Sequence, residues 1–161
     1  ILTGTVQAND TIIGGAGNDT ITYNGGIDTL TGGAGNDIFV IGAVAALNAN
    51  TKSIHATITD LAKGDSIDLT ATTSGVTAAG ALGAKVSVAS GATFEQALNA
   101  SIAGNANDVK WFQFESNTYL VVDNDNAATF TEGIDSVIKI TGLVDLSTPN
   151  ATVVDGVITI A

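Results

Sequence analysis

Residues 5–40 read TVQANDTII, GGAGNDTIT, YNGGIDTLT and GGAGNDIFV, four nine-residue units in unbroken register. The sixth position of each unit is Asp (Asp10, Asp19, Asp28, Asp37), and the eighth is large and apolar (Ile12, Ile21, Leu30, Phe39). A fixed short period of this kind is the mark of a solenoid, in which each unit buries its apolar residue only by stacking on its neighbours. The last three residues of a unit suit a short strand whose middle side chain points inward and whose flanking side chains point outward. The first six suit a tight turn, where glycine supplies the positive φ that a Cβ resists. Two units make one coil, so turns on the same side lie 18 residues apart, pairing Asp19 with Asp37 and Asp10 with Asp28.

The second and fourth units match in full the G-G-x-G-x-D-x-U-x pattern already known for calcium-binding parallel β-helix repeats. The chemistry agrees with the match. Calcium takes six to eight oxygens and accepts a mixture of carboxylates and main-chain carbonyls, whereas magnesium demands a stricter octahedron. Two stacked glycine-rich turns offer such a mixture, with Gly14, Ala16, Gly33 and Gly35 as carbonyl donors around Asp19 and Asp37. Stacked aspartates repel one another without a cation, so the roll is expected to need calcium to fold. Asp10 and Asp28 form a second, less complete pair. The first unit has Val6 and Ala8 where glycines belong, and a β-branched residue resists positive φ; a degenerate end cap is the competing reading there.

The composition narrows the partners. The 161 residues include 16 Asp and Glu against 5 Lys and no Arg, for a net charge of −11. Scattered lysines cannot neutralise a phosphate backbone or dock on an anionic membrane, so nucleic acid and acidic lipid surfaces are disfavoured and a cation is the natural partner. No Cys is present, which removes disulfides and thiolate metal sites. No apolar run is long enough for a transmembrane segment, and no signal peptide is visible. The chain opens inside a repeat-like stretch and is expected to be a fragment of a longer protein.

Beyond Ile41 the period breaks. Residues 42–53 read as loop and 54–60, with Ile54, Ala56 and Ile58 alternating, as strand. Lys63 and Gly64 mark a turn inside TITDLAKGDSIDLT, residues 57–70. Residues 71–92 read as loop with a short strand at 86–89. Thr93 and Gln96 fit a capping box that opens a helix with Phe94, Ala97, Leu98 and Ile102 on one face, ended by Gly104 and Asn105. Strands are expected at 109–114 and 118–123, joined by a hairpin at Glu115, Ser116 and Asn117, then at 135–141, and in a closing segment 153–160 with a turn at Asp155 and Gly156.

Other constellations fail on inspection. Counting an EF-hand loop from Asp123 puts Ala128 at the glycine position and Ile134 at the glutamate position, so a plain hairpin turn is favoured, with Asp123, Asp125 and Asp135 left at most as weak calcium ligands. His55 is the single histidine; no G-x-S-x-G and no zinc ligand set accompany it, and catalysis by it is disfavoured. The glycine motifs lack the G-K-[ST] of a phosphate loop. Trp111, Phe112, Phe114 and Tyr119 fit a hairpin core better than a sugar-stacking patch.

Three strings together carry a family resemblance: the nonapeptides; TITDLAKGDSIDLT, with Leu61 where Phe is usual; and WFQFESNTYLVVDNDNAATFTEGIDSVIKITGLVDLS, residues 111–147. The chain resembles the C-terminal region of RTX (hemolysin-type calcium-binding repeat) proteins exported by type I secretion, and is most similar to calcium-dependent S-layer proteins of the Caulobacter type. Residues 71–105 match least. The resemblance implies an extracellular or cell-surface protein, an uncleaved C-terminal signal read by the type I secretion machinery, and calcium-driven self-association into a lattice. It also implies calcium ligation by Asp10, Asp19, Asp28 and Asp37, with Asp60 and Asp65 completing a last site or serving only as turn caps. The expected fold is all-β: a short parallel β-roll (1–41), then a β-rich C-terminal unit with one short helix (42–161) that closes the roll and carries the secretion signal. The expected function is a non-enzymatic calcium-binding module of a secreted S-layer protein; the alternative is the same module at the tail of an extracellular protease, lipase or adhesin.

Overall fold

The computed structural model describes residues 1–5, 8–41, 56–70, 82–102, 109–124, 127–131 and 134–161. Val6, the loop expected at 42–53, the first residues of the strand expected at 54–60, His55, Gly104, Asn105 and Asp125 lie outside the described residues.

The repeats wind as their spacing demands. Strands β1 (Leu2–Thr3), β2 (Thr11–Ala16), β3 (Thr20–Tyr23), β4 (Asp28–Ala34) and β5 (Ile38–Ile41) pass alternately into two facing sheets. β2 pairs in parallel with β4, setting Ile12 on Leu30, and β3 with β5, setting Ile21 on Phe39. All four apolar side chains are buried in one core. β2 and β4 run longer than the three residues expected. Their ladder continues through Gly15 beside Gly33 and Ala16 beside Ala34, because turns nearly stripped of side chains let two main chains approach to pairing distance.

The solenoid does not stop at Ile41. β6 (Ala56–Ile58) lies parallel to β4 and β7 (Ser66–Asp68) parallel to β5, Leu30 facing Ile58 and Phe39 facing Ile67. The segment TITDLAKGDSIDLT therefore supplies a third coil, offset by 28 residues from the second where the first two are offset by 18. Its Ile58, Leu61, Ile67 and Leu69 extend the same core.

Beyond the third coil the sheets are finished by hairpins. β8 (Val109–Phe114), β9 (Asn117–Val122) and β10 (Ser136–Ile140) complete one sheet in the order β2-β4-β6-β10-β9-β8, with β10 parallel to β6. β11 (Ala151–Val154) and β12 (Val157–Ile160) complete the other as β1-β3-β5-β7-β12-β11. The first hairpin turns through Glu115 and Ser116, both at positive φ, which matches the twist of the flanking strands. One face of β8–β10 joins the roll core through Trp111, Leu120, Val122, Ile138 and Ile140. The other packs against α1 (Phe94–Ser101). The expected capping box is formed: the Thr93 side chain accepts the Gln96 amide and the Gln96 side chain accepts the Thr93 amide.

The four aromatics named in the sequence are core or core-lining. Phe112 stacks on Tyr119 with ring centroids 5.3 Å apart, and Phe94 and Phe114 close the cluster. The strand expected at 86–89 is not formed. A single bridge joins Lys85 to Trp111 instead, with the Val86 amide donating to the Trp111 carbonyl at 2.8 Å, and Val86 and Val88 pack against the aromatic cluster under α1. The fold is all-β with one short helix.

Candidate metal centre

On one side of the roll the turns of the second and fourth units stack, with the segment 60–65 of the third coil behind them. Each aspartate carboxylate reaches the main chain of the coil before it. The Asp19 amide donates to Asp37 Oδ1 at 2.8 Å, and the Asp37 amide to Asp65 Oδ1 at 2.9 Å. The outer oxygen behaves differently in successive coils. Asp19 Oδ2 and Asp37 Oδ2 are buried and accept no hydrogen bond. A buried carboxylate oxygen left without a partner is costly, and a hard cation is the partner such a pair suits.

The surrounding main chain supplies further oxygen. A Cβ placed on Gly14 would lie 2.5 Å from the Gly32 carbonyl oxygen and 2.8 Å from Asp19 Oδ2, so these two oxygens converge beside Gly14. A Cβ on Gly32 would strike Asp37 Oδ2. Gly33 (φ +102°) and Gly35 (φ +133°) lie directly on the carbonyls of Gly15 and Gly17, and the Gly17 amide donates to Ala34 O at 2.7 Å. Of the carbonyl donors expected from sequence, Gly14, Ala16, Gly33 and Gly35 all lie in this stack. The Gly32 carbonyl was not foreseen. The repeat gives it the same signal as Gly14, the first position of a complete unit, but only the stacking shows that it faces Asp19. Among the described residues no three carboxylate or imidazole side chains gather at one point. Two aspartates completed by main-chain carbonyls are therefore the donor set on offer, a set that fits calcium and not zinc.

Asp10 and Asp28 stack on the other side, the Asp10 amide donating to Asp28 Oδ1 at 2.9 Å. This pair is more self-sufficient. Asp10 Oδ2 accepts the Thr5 amide at 2.6 Å and the Thr5 hydroxyl at 2.8 Å, while the buried Tyr23 hydroxyl donates to the Gly26 carbonyl at 3.0 Å. Among the described residues only Asp28 Oδ2 is orphaned on this side, against two oxygens on the opposite side. Burial, first, raises the Asp28 carboxyl above its ordinary pKa; the Asp10 amide pulls it back and the Asp10 charge adds to the rise. Burial likewise raises the Tyr23 hydroxyl, with the Asp28 charge contributing.

Asp60 and Asp65 each accept a main-chain amide at both carboxylate oxygens. Asp60 accepts the Gly32 amide at 2.9 Å and the Gly33 amide at 2.8 Å; Asp65 accepts the Asp37 amide at 2.9 Å and the Ala62 amide at 2.8 Å. Burial raises the Asp65 carboxyl, against the lowering effect of those two amides. Asp135 is used in the same way, accepting the Asn124 and Thr131 amides at 2.8 and 2.7 Å, which is the closure of a turn.

Residues 7–30 and 24–43 match the RTX calcium-binding nonapeptide repeat. No curated protein matches the chain. The nonapeptide repeat is a calcium-binding structural element, not a catalytic one, and Ca2+ is the ion it takes. Among the described residues no helix is long and apolar enough to cross a membrane.

Proposed function

We propose that this chain is the calcium-binding C-terminal module of a secreted bacterial surface-layer protein, serving export by a type I system, calcium-dependent folding outside the cell and lattice assembly. The observation that carries the calcium part is the pair of buried, unpartnered oxygens on Asp19 and Asp37 inside two complete repeat units. When bound, the ion supplies charge neutralisation between stacked carboxylates. Asp19, Asp37 and the carbonyls of Gly14, Ala16, Gly32, Gly33 and Gly35 are the residues that would hold it, and Asp10 with Asp28 is a second and weaker pair. In this reading Asp60 and Asp65 end the stack.

The export logic follows from linkage. An ion that binds only the folded roll stabilises it in proportion to the ion's concentration. A chain held where calcium is scarce stays unfolded and can pass through a secretion channel, then folds where calcium is plentiful. The surface-layer part rests on the resemblance of the 111–147 tract and on a composition suited to cations.

A calcium titration followed by circular dichroism and light scattering tests both parts. The expected result is a gain of β-structure together with growing particles. A gain of structure in a chain that stays monomeric overturns the lattice role and leaves a secretion module, such as the tail of a protease, lipase or adhesin. No gain of structure overturns the calcium-folding reading itself.

A further inference from the structure

We infer that Asp60 is a positioning residue that aims the Gly32 carbonyl into the calcium turn pair from the face opposite the ion; the inference rests on the assignment of that pair to calcium. A trans peptide is planar and directs its C=O and N–H to opposite sides. The peptide between Gly32 and Gly33 carries the Gly32 carbonyl on one side and the Gly33 amide on the other. That amide donates to Asp60 Oδ2 at 2.8 Å, and the preceding Gly32 amide donates to Asp60 Oδ1 at 2.9 Å. With the Gly33 amide fixed, the Gly32 carbonyl is fixed too. It points to the place beside Gly14 where Asp19 Oδ2 also lies.

The need for such a clamp is local. Gly33 sits at φ +102°, and a Gly–Gly peptide has little of its own to prevent rotation about the bonds that flank it. In the β2–β4 ladder the neighbouring strand keeps the glycines in place, but β6 pairs with β4 only from Asp28 to Leu30 and then diverges. Just past that divergence, the Asp60 carboxylate takes up the consecutive Gly32 and Gly33 amides, one on each oxygen. Being charged, it holds them more tightly than a carbonyl does. Both its oxygens are spent on this task, which separates its role from that of Asp19 and Asp37.

The test measures Ca2+ affinity together with the number of waters on Eu3+ bound in the site, read from the luminescence lifetime in H2O and D2O. Asp60→Ala is expected to bind Ca2+ roughly ten- to a hundredfold more weakly, the usual effect of losing an outer partner of a ligand, with the hydration of bound Eu3+ unchanged. Asp60→Asn keeps the shape and loses one acceptor, so it is expected to fall between the parent and Asp60→Ala, and it serves if the alanine variant does not fold. Asp37→Ala is expected to weaken binding and to add water to the ion. If the Asp60 variants add water as Asp37→Ala does, Asp60 is a ligand and the inference fails. If they bind Ca2+ as tightly as the parent, the clamp is unnecessary and the inference also fails. If Asp19→Ala and Asp37→Ala leave both affinity and hydration untouched, it is the assignment of the turn pair to calcium that is overturned.

Discussion

Among the described residues, six aspartates are told apart by what their two carboxylate oxygens meet. Asp60, Asp65 and Asp135 spend both oxygens on amides. Asp28 and Asp37 each accept one amide at Oδ1, and Asp19, Asp28 and Asp37 each bury Oδ2 without a hydrogen-bond partner. Burial, common to members of both groups, predicts a pH dependence in calcium-free protein. Burial raises the folded-state pKa of Asp28 and Asp65 above the ordinary carboxylate value. A carboxyl shifted upward favours the fold most when protonated, below its unfolded pKa, and that stabilisation is lost as pH rises through the folded pKa. With chelator present, denaturant melts are therefore expected to show the roll gaining stability as pH falls from neutral toward that of an ordinary carboxylate. A flat profile, or one that falls over this range, contradicts the prediction. With calcium bound, competition between proton and ion for the carboxylates makes acid destabilising instead.

At the scale of the element, the stacked turn is the unit that stabilises the roll, and glycine makes its stacking possible. Gly35 combines φ +133° with a Cα lying on the Gly17 carbonyl, so a methyl group there meets both backbone strain and a collision. Gly35→Ala is expected to destabilise the calcium-bound protein by about 1–3 kcal/mol and to weaken calcium binding as well, measured by thermal melts and titration. Gly91→Ala is the control. It sits at φ +79°, so strain is shared, but nothing lies within 4 Å of its added Cβ. Its variant should lose stability without losing calcium affinity. Equal losses of affinity in both would mean that strain alone, and not the contact between turns, sets the cost.

For the molecule as a whole, two kinds of stabilisation are joined along shared sheets. The first two coils bury Ile12, Ile21, Tyr23, Leu30 and Phe39 and carry the orphaned oxygens of Asp19, Asp28 and Asp37. Strands β8–β10 bury both faces, one against the roll core and one against α1. Local stability follows buried apolar contact and satisfied polar groups. Hydrogen exchange after chelation is thus expected to accelerate first at the Gly17 and Asp19 amides, while those of β9 stay protected. Uniform acceleration across both regions would show one cooperative unit.

The repeat legible in residues 5–40 determined much on its own. Its period gave the parallel strands and the inward row Ile12, Ile21, Leu30 and Phe39. Its doubled period gave the stacking of Asp19 with Asp37 and of Asp10 with Asp28. The helix was legible because Thr93 and Gln96 cap through bonds only three residues long. What periodicity could not supply was any pairing that jumps register. The third coil is offset by 28 residues and not 18, so nothing in the nine-residue frame places Asp60 under Gly32 and Gly33, or Asp65 under Asp37. The strand expected at 86–89 is reduced to one bridge at Lys85, although Val86 and Val88 keep their alternation and face the same aromatic cluster. Sequence thus fixes which residues can form a turn and offer an oxygen, because those are properties of single residues and short spacings. Whether that oxygen is satisfied by an amide or left for an ion depends on what arrives from elsewhere in the chain, and only the tertiary structure decides it.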